Sequence, residues 1–299
     1  MIGSFVLFAA YLAIPPIGIF SGILAPFPAA CNRLIHGRTP AFIVVLGATA
    51  AATAFFGFFA GCIYLGMCAV IGLFMPELLV RNISGSRALF WTTAANLAVL
   101  TTGILLYSAS TDVNLQQLIS AEITSSITQA AAIYEKSGVT GEELDLVKQT
   151  MKTVSELMFR LYPALITVMF VIMAGCNLAL LKKAAVIFKM ELNVGEFNSF
   201  RNPDLLVWIL ISAGFAILLP SPLATTPALN ILLLVALMYF VQGMAVVSML
   251  ISKQSISGIF KIGLYILLLI QPYLMALVAV IGLCDLWVDF RSPKKQENL

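Results

Sequence analysis

Charge is what this chain has least of. Of its 299 residues only 10% are Asp, Glu, Lys or Arg, against 61% hydrophobic, and the mean hydropathy is +1.00. Soluble domains carry about 25% charged residues, so water is excluded as the solvent for most of this surface. Histidine is scarcer still. His36 is the only one, which excludes a Ser-His-Asp triad and any multi-histidine metal site. Cys31, Cys62, Cys68, Cys176 and Cys284 stand singly, with no C-x-x-C pair, so neither a disulfide framework nor a zinc site is indicated. A Walker A motif and a strand-led G-x-G-x-x-G are missing too, so ATP-driven work would need a partner subunit. The net charge of +3 is spread over loops and gives no reason to expect a nucleic-acid partner. No basic segment precedes a cleavage site, so the first apolar run reads as a permanent span.

Long apolar runs are what the chain has in abundance. Several reach the roughly 20 residues that cross about 30 Å of hydrocarbon as a helix, and strict period-2 alternation is missing, which argues against a β-barrel. The fold class read from this is all-α, a polytopic transmembrane helical bundle of about eight spans in one integral membrane domain, residues 1–299. The first span is expected from Gly3 to Leu24, kinked at Pro15-Pro16, with Gly18 and Gly22 spaced for close helix approach. Ala41 to Val80 is too long for one crossing and reads as two helices turning near Gly57. Arg87–Ser110, Leu161–Leu181, Leu205–Leu219, Ala228–Ile251 and a long last segment from Ile256 to Leu286, bent at Pro272, complete the count.

Residues 112–158 break the apolar pattern. Their carboxylates outnumber their basic residues, and apolar side chains recur at a 3.6-residue period, so a helical hairpin outside the bundle is expected. Its second helix feeds the fifth span. With eight crossings, ten of the seventeen Lys and Arg residues share one face, which their enrichment makes the cytoplasmic one. The tail beginning at Arg291 then falls on the opposite face, against the same rule. A re-entrant or doubled final segment around Pro272 removes the conflict.

Polar side chains within spans are the candidates for function. Glu77, Asp285 and Asp289 lie near span ends; Asp285 and Asp289 are four apart and expected to share one helical face, and a basic residue such as Arg81 or Arg87 is available to pair with them across the bundle. The candidate polar cluster is Glu77, Arg81, Asp285, Asp289 and Arg291, set against the plainer reading of helix ends with snorkelling charges and a Trp287 anchor. Asn96, Asn177 and Gln242 are candidate ligand-binding amides. Their alternative is interhelical hydrogen bonding, worth around 1 kcal/mol each.

The Pro26-Phe27-Pro28 exit, the Gln242-Gly243 step and the ending Gly282-Leu283-Cys284-Asp285-Leu286-Trp287-Val288-Asp289-Phe290-Arg291 resemble the YybS-like bacterial membrane proteins, a family with a domain of unknown function. That family is distantly similar to the S-components of energy-coupling-factor transporters, small helical bundles that bind a vitamin or metal and dock on a separate ATP-driven module. The resemblance implies a multi-pass protein of the bacterial inner membrane. This chain departs from S-components in having about eight spans and a large insert, and no ligand-binding residue of theirs has a matching position here.

Residues and resemblance together lead to a non-enzymatic, transport-related protein. It is expected to hold a small solute between helices lined by Asn96, Asn177 or Gln242. Its expected partners are the lipid bilayer and a separate energising or partner membrane subunit; no cofactor and no metal are expected. The alternative is an envelope assembly or scaffold protein that uses the insert as its partner surface. A lipid-acting enzyme has least support, because no base and nucleophile pair is visible.

Overall fold

The computed structural model describes residues 1–111, 115–137, 141–254, 258–288 and 290–291. Among them every regular element is a helix. The chain groups into two compact units, one of residues 1–159 and 165–195, the other of residues 160–164 and 196–299.

The first unit opens with α1 (Ile2–Ala13) and α2 (Pro15–Leu24). These are not one kinked span, as the sequence suggested. A Cβ at Gly18 would meet the Tyr11 carbonyl oxygen, and one at Gly22 would meet the Tyr11 ring. In an unbroken helix Gly18 would lie about 10 Å along the axis from Tyr11, so the chain folds back at Ile14-Pro15. The two glycines do admit close approach, and the helix they admit is α1 itself. After a turn at Ala25-Pro26 come α3 (Phe27–His36) and α4 (Arg38–Phe56).

Gly57, at φ +90°, turns the chain where expected. The return path is α5 (Phe58–Tyr64), a π-helical stretch Leu65–Phe74, and α6 (Met75–Val80). A side chain at Gly61 would overlap Thr53 Oγ1, so the run of small residues serves α4–α5 contact. In lipid such contact drives association, because tails are as apolar as the helices themselves. The core gathers Phe8, Tyr64, Ile71, Met75, Leu79, Met173 and Leu181, all at most 1% exposed. The Phe8 ring meets Tyr64 edge-on at 5.2 Å.

Next are α7 (Gly85–Thr111), α8 (Leu115–Lys136) and α9 (Glu142–Ile187). The insert is thus two helices as expected, and its second helix continues without interruption into the fifth span. At 46 residues, α9 is about 69 Å long, more than twice the hydrocarbon thickness.

The second unit holds α10 (Leu205–Ile217), α11 (Pro222–Ser252), α12 (Gly258–Ile270) and α13 (Pro272–Cys284). Six helical segments of the described chain are long and apolar enough to cross a membrane, and the α12–α13 pair, bent by 98°, makes a seventh if it is one broken span. The difference from about eight has a local cause. Pro15 and Pro272 lack the N–H that would continue a helix, and α10, with 13 residues, spans only about 20 Å.

Pro163 lies inside α9, and the helix remains continuous because of a side chain from α11. Asn230 Oδ1 accepts the Ala164 N–H at 2.9 Å, while its Nδ2 donates to the Arg160 carbonyl at 2.7 Å. The amide is therefore inserted into the bond that Ala164 would make to Arg160, a recognised way of accommodating a helix irregularity. Asn230→Leu strands both backbone groups and should cost about 2–3 kcal/mol, read as a lowered thermal midpoint in detergent; an unchanged midpoint would refute this role.

Candidate functional site

Four charged residues converge where three spans of the first unit end. Glu77 stands on α6, Arg33 near the end of α3, Arg38 at the start of α4 and Arg81 just past α6. Arg33 and Arg38 each place Nε 3.1 Å from Glu77 Oε2, and Arg81 places Nε 3.0 Å from Oε1. A second guanidinium nitrogen of Arg33 and of Arg38 also donates to the carboxylate. Arg33 is nearly buried, whereas the Arg38 and Arg81 side chains are 62% and 65% exposed.

The second unit carries a different polar centre. Gly243 on α11 and Gly282 on α13 bring two backbones into contact: a Cβ at Gly243 would overlap the Val278 carbonyl, and one at Gly282 the Tyr239 carbonyl. Beside this contact Gln242 Nε2 donates to Asp285 Oδ2 at 2.9 Å, and Gln242 Oε1 accepts the Asn202 N–H at 3.0 Å. Asn202 Nδ2 donates to the Met238 carbonyl. Arg291 donates to the same Asp285 oxygen at 2.9 Å and to the carbonyls of Asn198 and Phe200, while Arg201 donates to the Asp285 carbonyl. Asp285 is 1% exposed. The loop before α10 is thereby sewn to the chain end, with Arg201 and Arg291 both bonded to Asp285.

The five residues of the expected polar cluster therefore divide. Glu77 pairs with Arg81 in the first unit, and Asp285 pairs with Arg291 in the second. Asp289 lies outside the described residues. The helix α13 ends at Cys284, just ahead of Asp285. Arg33, Arg38, Arg201 and Asn202 were missed as members of these centres. Asn202-Pro203 was legible as a turn signal, but nothing local marks its amide as a partner for Gln242.

Of the candidate amides, Gln242 is committed at both ends to the stitch. Asn177 donates to Met173 in its own helix and to the Ile23 carbonyl, both at 2.7 Å, just before the break at Ala25-Pro26. Ser4 Oγ donates to the Ala25 carbonyl and meets Tyr64 Oη, both at 2.6 Å, closing the other side of that break. Asn177 Oδ1 is buried without a partner. Asn96 is fully buried on α7, and both of its amide atoms lack a partner, as do the hydroxyls of Thr92 and Thr93. In the second unit α10 and α11 bound a groove of about 430 Å³, lined by Trp208, Ile209, Ala213, Pro227, Ala228 and Ile231 among others. It offers no charged group.

The family described as "Predicted membrane protein (DUF2232)" matches residues 4–286. No curated protein and no solved structure matches the chain. Removing the Asp285 carboxylate breaks its buried ion pair with the Arg291 guanidinium, 17% exposed. Asp285→Ala should therefore cost about 3–5 kcal/mol, and Asp285→Leu combined with Arg291→Met should recover much of it. Thermal unfolding of the two variants tests this; equal losses in the single and the double variant would show that the pair is not the origin.

Proposed function

We propose, for a chain that belongs to the DUF2232 family of predicted membrane proteins, a non-enzymatic role in which the first unit holds a small, uncharged polar solute. The observation that carries it is the Thr92-Thr93-Asn96 group. Its members are at most 6% exposed on a span, with two hydroxyls and both amide atoms unpaired. A buried polar group left unpaired costs about 1–3 kcal/mol, and lipid offers nothing to relieve it. Asn96 presents a donor and an acceptor together, so the complementary solute carries both, as an amide or a hydroxyl does. Asn177 Oδ1 supplies a further open acceptor in the same unit. In this reading the protein is transport-related and S-component-like, and a separate membrane subunit supplies the energy.

A second reading, an envelope scaffold without a ligand, is favoured by the insert. Ile133, Tyr134, Leu146, Val154, Leu157 and Met158 are exposed on α8 and the first half of α9. Such side chains outside the spans are what a partner protein would cover.

Native mass spectrometry of the purified protein, compared with Asn96→Leu, separates the two. The solute reading expects a stoichiometric small-molecule adduct on the natural chain and none on Asn96→Leu. It also expects the variant to keep or raise its thermal midpoint, because an apolar side chain relieves unpaired groups. An adduct of equal occupancy on both proteins would remove Asn96 from the site. A bound subunit with no small molecule would move the assignment to the scaffold.

A further inference from the structure

The Glu77 centre has more positive charge than its own carboxylate can hold. Five N–H bonds from Arg33, Arg38 and Arg81 reach Glu77, and a carboxylate has about four lone-pair directions. Glu77 is therefore saturated. Among the described residues three guanidinium charges face one negative charge, an excess of two positive charges. It resides mainly on Arg38 and Arg81, whose side chains are mostly exposed and whose remaining N–H groups are open to an outside acceptor.

The position of this excess is specific. Residues Gly18–His36, Arg38–Phe56 and Phe58–Val80 are three candidate spans, and the four charged residues sit at or beside the end of one or the start of the next. Ile35, Phe42, Ile43 and Val80, within about a turn of the arginines on the same helices, are exposed apolar side chains. A cation pair at a span end with hydrocarbon contacts directly beneath matches both parts of a phospholipid, the anionic headgroup above and the acyl chains below. Guanidinium groups suit this because their planar forks bind phosphate oxygens in pairs.

We propose that Arg38 and Arg81, held apart and oriented by Glu77 with Arg33 behind it, form a docking site for the phosphate headgroup of an anionic phospholipid of the surrounding bilayer. Glu77 acts as the organiser: it fixes three arginines that would otherwise repel one another, and leaves two of them turned outward. This assignment is independent of the solute reading, since it uses none of Thr92, Thr93, Asn96 or Asn177.

The test is native mass spectrometry of the full, delipidated chain titrated with phosphatidylglycerol, cardiolipin or phosphatidylcholine. Three chains are compared: the natural one, Arg38→Gln/Arg81→Gln, and a control, Lys148→Gln, on the insert. The site predicts retention of the anionic lipids over phosphatidylcholine by the natural chain and the control. It predicts about thirtyfold weaker binding to the double variant, as two interfacial cations at about 1 kcal/mol each imply. Because both substituted side chains are exposed, the double variant should keep its thermal midpoint. Equal binding of anionic and zwitterionic lipids, or undiminished anionic binding by the double variant, overturns the proposal. So does inorganic phosphate alone binding as tightly as the lipids, which would make this a free-phosphate site.

Discussion

A backbone carbonyl that loses its helical partner inside a membrane must find another donor within the protein, because lipid provides none. Much of the side-chain chemistry in this structure answers that demand. Asn177 serves the Ile23 carbonyl and Ser4 the Ala25 carbonyl at the proline-led break after α2. Asn230 enters the α9 ladder next to Pro163. Arg201 and Arg291 serve the carbonyls of Asp285, Asn198 and Phe200 where α10 begins and α13 ends. At these three irregularities a polar side chain from elsewhere in the chain takes up the freed backbone groups. The spans can therefore be irregular without exposing unsatisfied amides.

This changes the meaning of an intramembrane amide. Gln242 and Asn177 stand in apolar surroundings, where the sequence leaves both a ligand group and a strut open, and Asn230 gives no such signal there. The hydrogen bonds make Gln242 and Asn230 struts, each engaged through both its oxygen and its nitrogen. Asn177 is a strut through its nitrogen and open through its oxygen. Asn96 alone among these four has neither end engaged. A group that stabilises nothing as it stands is the one with capacity to bind something else, which is why the functional reading rests on it.

Charge obeys a related rule. Burying an ion is tolerated only beside its counter-ion and further hydrogen bonds, and Asp285 meets this with Arg291 and Gln242. Where side chains are exposed the rule relaxes, since solvent or a headgroup is within reach. There Glu77 collects three arginines instead of one. The same pair of residue types thus yields a neutral, buried stitch in one unit and an outward-facing excess of cations in the other. The difference is set by burial and neighbours.

The apolar runs were enough to establish an all-helical membrane protein, the helical insert, the turn at Gly57 and the fusion of insert and fifth span. Each of these depends on composition, period or glycine chemistry within a short window, and local rules decide them. The glycines of the C-terminal motif were visible too, though their role was not. Only the tertiary structure decided that Gly243 and Gly282 touch across two helices, that Pro15 reverses the chain instead of kinking it, and that Arg81 and Arg291 serve different carboxylates. Partners separated by dozens of residues, such as Arg33 and Glu77 or Asn202 and Gln242, leave no local trace. Their pairing is fixed by which helices pack together, and in lipid that choice rests on shape and hydrogen bonds, to which a hydropathy pattern is blind.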